Sequence, residues 1–385
     1  MEVDVYEGHD KFDRQALIDL DAIRHNVRHF VEICGSTRVM AVVKADAYGH
    51  GALPVAHAAL EAGAGWLGVA HLSEALALRG AGIQAPILAW LHTPDSDFAG
   101  AVRAGIDIGI SGWEVPTVVA HAQAVGRPAR IHLKVDTGLG RNGCPPAEWP
   151  TLIHRAKRWQ AEGLLEVVGV FSHLSVADDP EHPETAEQVS RFRAALSEVE
   201  KVGLDVEVRH LANTAAALSR PDTHFDMVRV GLGLYGLSPF GDRPAEDFDL
   251  QPAMTLRARV ANCKNVAAGQ GVSYGLHYVT DEPTTLVLVP IGYADGVPRS
   301  AEGAQVTIGR HRLDVVGRVA MDQIVVESRT NEGSIIPGDE VVIFGAGPDV
   351  PGAGDLARAS GTINYEIVTR VGSRVPRAYA GLSKL

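Results

Sequence analysis

The sequence is poor in several features that would define a fold or a partner. Of its 385 residues only three are cysteines, Cys34, Cys144 and Cys263, and they form no CxxC pair. That excludes a disulfide framework, fits a reducing compartment, and leaves no metal expected. No long hydrophobic run is present. The longest apolar stretches, around Val39–Val43 and Leu286–Ile291, are strand-sized, whereas a membrane span needs ~20 residues. Met1 to Gln15 is acidic and polar, without the basic start and apolar run of a signal peptide. A soluble, cytoplasmic protein with no membrane partner is expected. Basic charge is also short: 35 Lys and Arg against 47 Asp and Glu give a net charge of −12. Phosphate backbones need a basic surface, so nucleic acid is not an expected partner. What is present is 46% hydrophobic residues and only 21% charged ones, a composition that excludes a mostly disordered chain. At ~100–200 residues per domain, the length predicts two domains.

The first two-thirds of the chain alternates short β-branched runs with amphipathic segments. Eight runs stand out: Val39–Val43, Trp66–Ala70, Pro86–Trp90, Ile106–Ile110, Ile131–Val135, Val167–Phe171, Val206–Leu211 and Phe225–Val230. Before the seventh, Val189, Phe192, Leu196 and Val199 recur at helical spacing. Alternating β and α elements imply parallel strands, and eight such units predict a (β/α)8 TIM-like barrel over residues 16–240. An open doubly wound sheet is the other arrangement this pattern allows. Ser238–Pro252, with Pro239, Pro244 and Pro252, reads as a linker. Beyond it, Met254–Val266 and Thr285–Ile291 read as strands of a mostly β domain over 241–385. Residues 1–15 are a separate segment that could pack with that β domain.

Several motifs sit where barrel strands end. Lys44, in Ala41-Val42-Val43-Lys44-Ala45-Asp46-Ala47-Tyr48-Gly49-His50-Gly51, falls at the mouth of the first strand, the face on which barrel enzymes build their sites. Apolar walls strip an amine of hydration and lower its pKa, so a neutral lysine can attack a carbonyl; a surface lysine after a strand is the plainer reading. Arg141, in the glycine-rich run Lys134-Val135-Asp136-Thr137-Gly138-Leu139-Gly140-Arg141-Asn142-Gly143, offers a planar fork suited to a carboxylate. A loop arginine in a surface ion pair would look the same. His173 follows the sixth run, Asn213 and Thr214 the seventh, and Arg229-Val230-Gly231-Leu232-Gly233 the eighth. Loops after strands seven and eight commonly bind phosphate through backbone N–H groups and a hydroxyl, and Gly231 lets the backbone approach closely.

The Lys44 segment resembles the pyridoxal-phosphate lysine motif of alanine racemases, and further matching motifs follow in order from about Ala16 to the C-terminus. The resemblance implies an enzyme that interconverts L- and D-alanine and supplies D-alanine for peptidoglycan synthesis. Lys44 then carries pyridoxal 5'-phosphate as a Schiff base and acts as one catalytic base. Tyr274, in Gly271-Val272-Ser273-Tyr274-Gly275, is the second base, contributed by the other subunit of a homodimer. Cofactor contacts fall to Tyr48, His173, Asn213, Thr214, Arg229, Gly231, Leu232 and Tyr365. Arg141 and the Met321 backbone bind the substrate carboxylate, and Tyr293 and Arg299 line an entry corridor. Lys134 matches a lysine that many family members carbamylate. Ala320 stands where the family often has cysteine, and Thr214 where it often has serine. Arginine can donate to the pyridine nitrogen but not accept from it, so that nitrogen is expected to stay unprotonated. That feature separates the family from fold-related decarboxylases, which put an acid there. A cofactor carrier would lack the second domain, and a broad-specificity racemase remains open.

Overall fold

The computed structural model describes residues 12–241, 243–329 and 335–382. The chain divides into two compact units. One comprises Ile23–Ala47 and Ala52–Leu250; the other comprises Met1–Ala22, Tyr48–Gly51 and Gln251–Leu385. Of the N-terminal segment 1–15, residues 1–11 lie outside the described residues. From Arg14 the chain forms β1 (Arg14–Asp19), so the expected boundary at residue 16 falls inside a strand of the second unit.

In the first unit all eight expected runs become strands: β2 (Arg38–Val42), β3 (Trp66–Val69), β4 (Ile87–Ala89), β5 (Asp107–Ile110), β6 (Ala129–Lys134), β7 (Leu165–Phe171), β8 (Val208–His210) and β9 (Met227–Val230). They close into a parallel barrel, with β9 returning to β2 through Arg38↔Met227 and Met40↔Arg229. The open-sheet alternative is thereby excluded. The helix Pro183–Val202 shows why the connecting segments fold as they do. Proline opens it where its missing N–H costs nothing, and Gly203 closes it in the left-handed region at φ 69°. Its stripe of Val189, Phe192, Leu196 and Val199 is buried, and Gln188 shares that face. Inside the barrel Met40, Trp66, Leu88, Val168, Val208 and Met227 form a packed layer rather than a channel. On β6, Arg130, His132 and Lys134 share one face by strand alternation.

In the second unit β1 lies between β10 (Met254–Arg259), antiparallel, and β19 (Arg377–Ala380), parallel; Ile18 faces Met254 on one side and Tyr379 on the other. Its inward residues Ala16 and Ile18 are fully buried. The same sheet contains β15 (Gln305–Ile308), β16 (His311–Asp314) and β18 (Glu340–Phe344). A second sheet joins β11 (Asn262–Val266), β14 (Thr284–Val289) and β17 (Ile324–Ser328). The run expected as one strand over Met254–Val266 is thus two, β10 and β11, serving different sheets. A two-stranded hairpin, β12 (Gly271–Val272) with β13 (Tyr278–Val279), carries Tyr274 at its tip.

Candidate active site

Lys44 leaves β2 into an unusual turn. Ala45, Asp46, Ala47 and Tyr48 all have φ of 52–53°, a left-handed conformation costing ~1–2 kcal/mol per residue with a side chain. Such strain persists only where neighbours over-determine it. Here the Glu74 carboxylate accepts the N–H groups of Ala45 (2.6 Å), Ala70 (2.9 Å) and His71 (2.9 Å). Asp46 accepts the Ala52 N–H at 2.7 Å, and the Ala47 N–H donates to the Val43 carbonyl at 2.9 Å. Burial lowers the pKa of the Lys44 amine, nearby Arg141 lowers it further, and Glu74 partly offsets both. An amine with a lowered pKa therefore sits at the mouth of the barrel.

The loop after β6 is shaped by Asp136, whose side chain accepts the N–H groups of Gly138 (2.9 Å) and Gly140 (3.2 Å). Gly143, at φ 129°, has no room for a β-carbon, which would stand 2.7 Å from the Asp136 nitrogen. The loop presents an exposed Arg141. Lys134, at the end of β6, is buried; burial first, then Arg229 and Arg141, pull its amine down to about 8.

Arg229 is held from several sides. Its Nη2 lies 2.7 Å from the Ser172 carbonyl, 3.0 Å from the Leu211 carbonyl and 3.0 Å from His173 Nδ1, and its Nη1 lies 3.2 Å from His210 Nδ1. Burial pulls it down to about 9, still protonated at neutral pH. His173 is driven well below the usual histidine range by burial, then by Arg229, Arg141, Lys134 and Lys44, so its imidazole is neutral. Gln188, fully buried, ties the loops after β6 and β7 together: its amide donates to Thr137 Oγ1 (3.2 Å) and the His173 carbonyl (3.1 Å), and its oxygen accepts the Ser175 N–H (2.9 Å).

At the ends of β8 and β9, Asn213 caps the helix Thr214–Ser219 by accepting the Ala216 N–H at 3.0 Å. The buried Thr214 hydroxyl accepts the N–H groups of Gly231 (3.1 Å) and Gly233 (3.4 Å). A β-carbon on Gly233 would lie 2.6 Å from Phe30, so this approach requires glycine. Leu232 is buried between them. The expected residues Lys44, Lys134, Arg141, His173, Asn213, Thr214, Arg229, Gly231 and Leu232 thus all belong to the barrel unit, at or beyond the C-terminal ends of its strands.

The remaining expected residues belong to the other unit. Tyr48 and Tyr365 have ring centroids 6.2 Å apart, and burial, then Tyr365, raises the Tyr48 phenol. Tyr274 is 73% exposed. Its hairpin tip holds Ser273 at φ 58° and Leu276 at φ 49°, and the Ser273 hydroxyl donates to the Arg318 carbonyl at 2.6 Å. Met321 is 52% exposed, and Tyr293 and Arg299 are exposed as well. The Tyr293 and Met321 loops are zipped by Tyr293 N–H to the Ala320 carbonyl (3.1 Å) and Ala294 N–H to the Met321 carbonyl (3.0 Å). A β-carbon on Gly292 would meet both acceptor oxygens at 2.4 Å.

Comparison with known proteins places the chain in a family. The alanine racemase N-terminal domain matches residues 18–239, and the alanine racemase C-terminal domain matches residues 253–379. The chain belongs to the alanine racemase family. It is 52% identical over 371 residues to an alanine racemase of Thermobifida fusca, covering 95% of this chain and 98% of that protein. A relative from Frankia casuarinae is 51% identical over 368 residues, covering 94% and 95%. Among solved structures, alanine racemase from the D-cycloserine-producing Streptomyces lavendulae superposes with a TM-score of 0.94 at 51% identity, over 97% of this chain and 98% of that one. A Bacillus anthracis alanine racemase with bound L-Ala-P gives 0.86 at 36% identity, over 96% and 95%. The chain is therefore an isomerase of the racemase class. No helix among the described residues is long and apolar enough to cross a membrane.

Sequence reasoning missed Glu74 and Gln188. Glu74 gave no signal beyond a carboxylate in the first turn of a helix. Gln188 did: it is a polar residue one position before Val189 and four before Phe192, on the face those residues bury.

Proposed function

We propose that the protein interconverts L- and D-alanine with pyridoxal 5'-phosphate, as a cytoplasmic homodimer supplying D-alanine for peptidoglycan. The observation carrying this reading is that one barrel mouth combines Lys44, whose pKa burial lowers, an exposed Arg141 and an immobilised, donor-only Arg229, in a chain of this family. The donor set fits the cofactor. The Thr214 hydroxyl and the Gly231 and Leu232 N–H groups suit a phosphate, His173 offers a neutral ring, and Lys44 offers the amine that joins the aldehyde. When bound, the group withdraws electrons from the amino acid and acidifies its α-hydrogen.

The chain's own residues do the rest. Arg141 and the Met321 N–H hold the carboxylate. Lys44 Nζ moves a proton on one face of the α-carbon, and Tyr274 Oη of the partner subunit moves one on the other. In the assembled site His173 and Arg229 are the neighbours that would support Tyr274 as a base. Arg229, which can donate but not accept, would face the pyridine nitrogen and leave it without a proton, so that the bound group would be a weaker electron sink and side reactions would be limited. The dimer is supported by the exposed hairpin, on which Tyr274, Leu276 and Val279 are uncovered by the other described residues. Lys134, buried among arginines with a lowered pKa, suits carbamylation, which would turn it into an anion that holds Arg141.

Incubation with L-alanine in deuterated water tests this reading. Circular dichroism is expected to decay to zero while mass spectrometry finds deuterium at the α-carbon. Retained handedness with release of carbon dioxide would move the assignment to a decarboxylase.

A further inference from the structure

A line of polar groups runs through the barrel core away from the mouth, where barrel interiors are ordinarily apolar. From Arg229 Nη1 it passes to His210 Nδ1 (3.2 Å), from His210 Nε2 to His132 Nδ1 (2.9 Å), and from His132 Nε2 to Asp107 Oδ2 (3.5 Å). His132 and His210 are fully buried, and Asp107 is 1% exposed at the N-terminal end of β5. The last step is long, and His132 Nε2 has no closer partner among the described residues. Space for the line is made deliberately: a β-carbon on Gly169 would stand 2.6 Å from His132 Nδ1. Phe171 stacks flat on His210, with centroids 4.8 Å apart and planes 2° apart. The Asp107 carboxyl also receives the Arg130 guanidinium (2.6 Å) and the Trp66 indole N–H (3.1 Å), and Arg130 is shared with Glu166 at 2.5 Å. Burial alone would raise Asp107, but His132 and Arg130 hold it below the usual carboxylate value.

The chemistry of these groups allows one direction only. Arginine donates and cannot accept, so His210 Nδ1 must be bare and its proton must sit on Nε2. His132 Nδ1 must then accept, which puts the His132 proton on Nε2, aimed at an ionised carboxylate that can only accept. Arg229 Nη2 likewise leaves His173 Nδ1 bare. We propose that Asp107 is a positioning residue: through two neutral imidazoles it is the terminal acceptor that keeps Arg229 a fixed donor and leaves the His173 proton on Nε2, facing the site. The effect on turnover rests on the function proposed above, but the proton arrangement does not.

Long-range proton–nitrogen NMR on histidine-labelled protein, with and without cofactor, reads the tautomers directly; His132→Asn and His210→Asn variants assign the signals. His132, His210 and His173 are each expected to carry a single proton, on Nε2, with Nδ1 bare. Asp107→Asn keeps a carbonyl acceptor and is expected to preserve the tautomers, with kcat within about threefold of the parent. Asp107→Leu is expected to move the His132 proton to Nδ1 and to lower kcat about tenfold or more, with KM changed less than about twofold. A cationic His132, a proton on His210 Nδ1, or parental tautomers in Asp107→Leu would overturn the proposal. If Asp107→Leu does not fold, the parent and Asp107→Asn spectra decide on the same criteria. Correct tautomers in a protein that fails to racemise alanine would count against the function, not against the relay.

Discussion

Replacing Glu74 by Gln tests whether the left-handed turn after Lys44 is held from outside. The substitution keeps size and shape but exchanges one carboxylate oxygen for an amide NH2. In the parent, one oxygen accepts the Ala45 N–H and the other accepts those of Ala70 and His71. Whichever way the amide settles, NH2 faces at least one N–H donor. The gentler orientation loses the Ala45 bond alone, at ~1.5–3 kcal/mol for a hydrogen bond to a charged group. The strain being restrained, four left-handed residues at ~1–2 kcal/mol each, is ~4–8 kcal/mol. The loss is therefore a sizeable fraction of what holds the turn, enough to loosen it without unfolding the barrel. At ~2–4 °C per kcal/mol for a unit of this size, the melting midpoint is expected to fall by ~3–12 °C. The charge has a separate signature. Glu74 supports the ammonium form of Lys44 against burial and Arg141; without it the amine becomes neutral at lower pH. Capture of pyridoxal 5'-phosphate by cofactor-free protein, followed against pH, should therefore begin at lower pH in the variant. An unchanged melting midpoint together with an unchanged capture profile would refute the reasoning. A lowered midpoint with an unchanged profile would leave Glu74 a structural residue only.

Thr214→Val removes a hydroxyl that suits the phosphate; at ~1.5–3 kcal/mol for a hydrogen bond to a charged group, cofactor affinity measured by equilibrium dialysis should fall about tenfold to a hundredfold, and Thr214→Ser should restore most of it. Lys134, pulled down to about 8, is increasingly neutral as pH rises from 7 to 9, so uptake of labelled bicarbonate, read by carbon NMR, should grow over that range and be lost on acidification; no signal at any pH would exclude the carbamate. Gly292→Ala places a β-carbon against the Ala320 and Met321 carbonyls; alanine turnover should fall at least tenfold while cofactor binding to the barrel is retained, and a variant with parental kinetics would show that the two loops tolerate separation. Burial pushes Cys34 and Cys144 up to about 11, so a thiol reagent should titrate at most Cys263 in the native protein and all three after denaturation.

The barrel was legible because each of its strands is a local signal. Runs such as Val39–Val43 are dense in β-branched residues, and the segments between them have their own helical period, so neither depends on distant chain. The mouth was legible for a related reason: a residue's place at the end of a run already assigns it to one face of the barrel, which is how Lys44, Arg141, His173 and Arg229 could be grouped before any contact was known. The second unit resisted this reading. β1 is six residues long, and its alternation of buried Ala16 and Ile18 with half-buried neighbours matters only because Met254–Arg259 and Arg377–Ala380 come to flank it. Pairings across more than two hundred residues leave no trace in a short window.

The barrel's polar core shows a different limit. Arg-Ile-His-Leu-Lys over 130–134 alternates in the sequence, yet a run judged by its apolar content alone passes as an ordinary strand. Judged by period, its three basic side chains fall on one face. In a barrel of parallel strands with helices outside, apolar residues belong on the outer face under those helices, so polar ones at alternate positions must point inward. The same test separates Asp107 and Gly109 from Ile108 and Ile110 on β5, and Met227 and Arg229 from Val228 and Val230 on β9. Inward polar residues on adjacent strands have few partners other than one another. That constraint brings together Asp107 on β5 with His132 on β6 and His210 on β8 with Arg229 on β9, while Gly169 on the intervening β7 leaves the room in which His132 reaches His210.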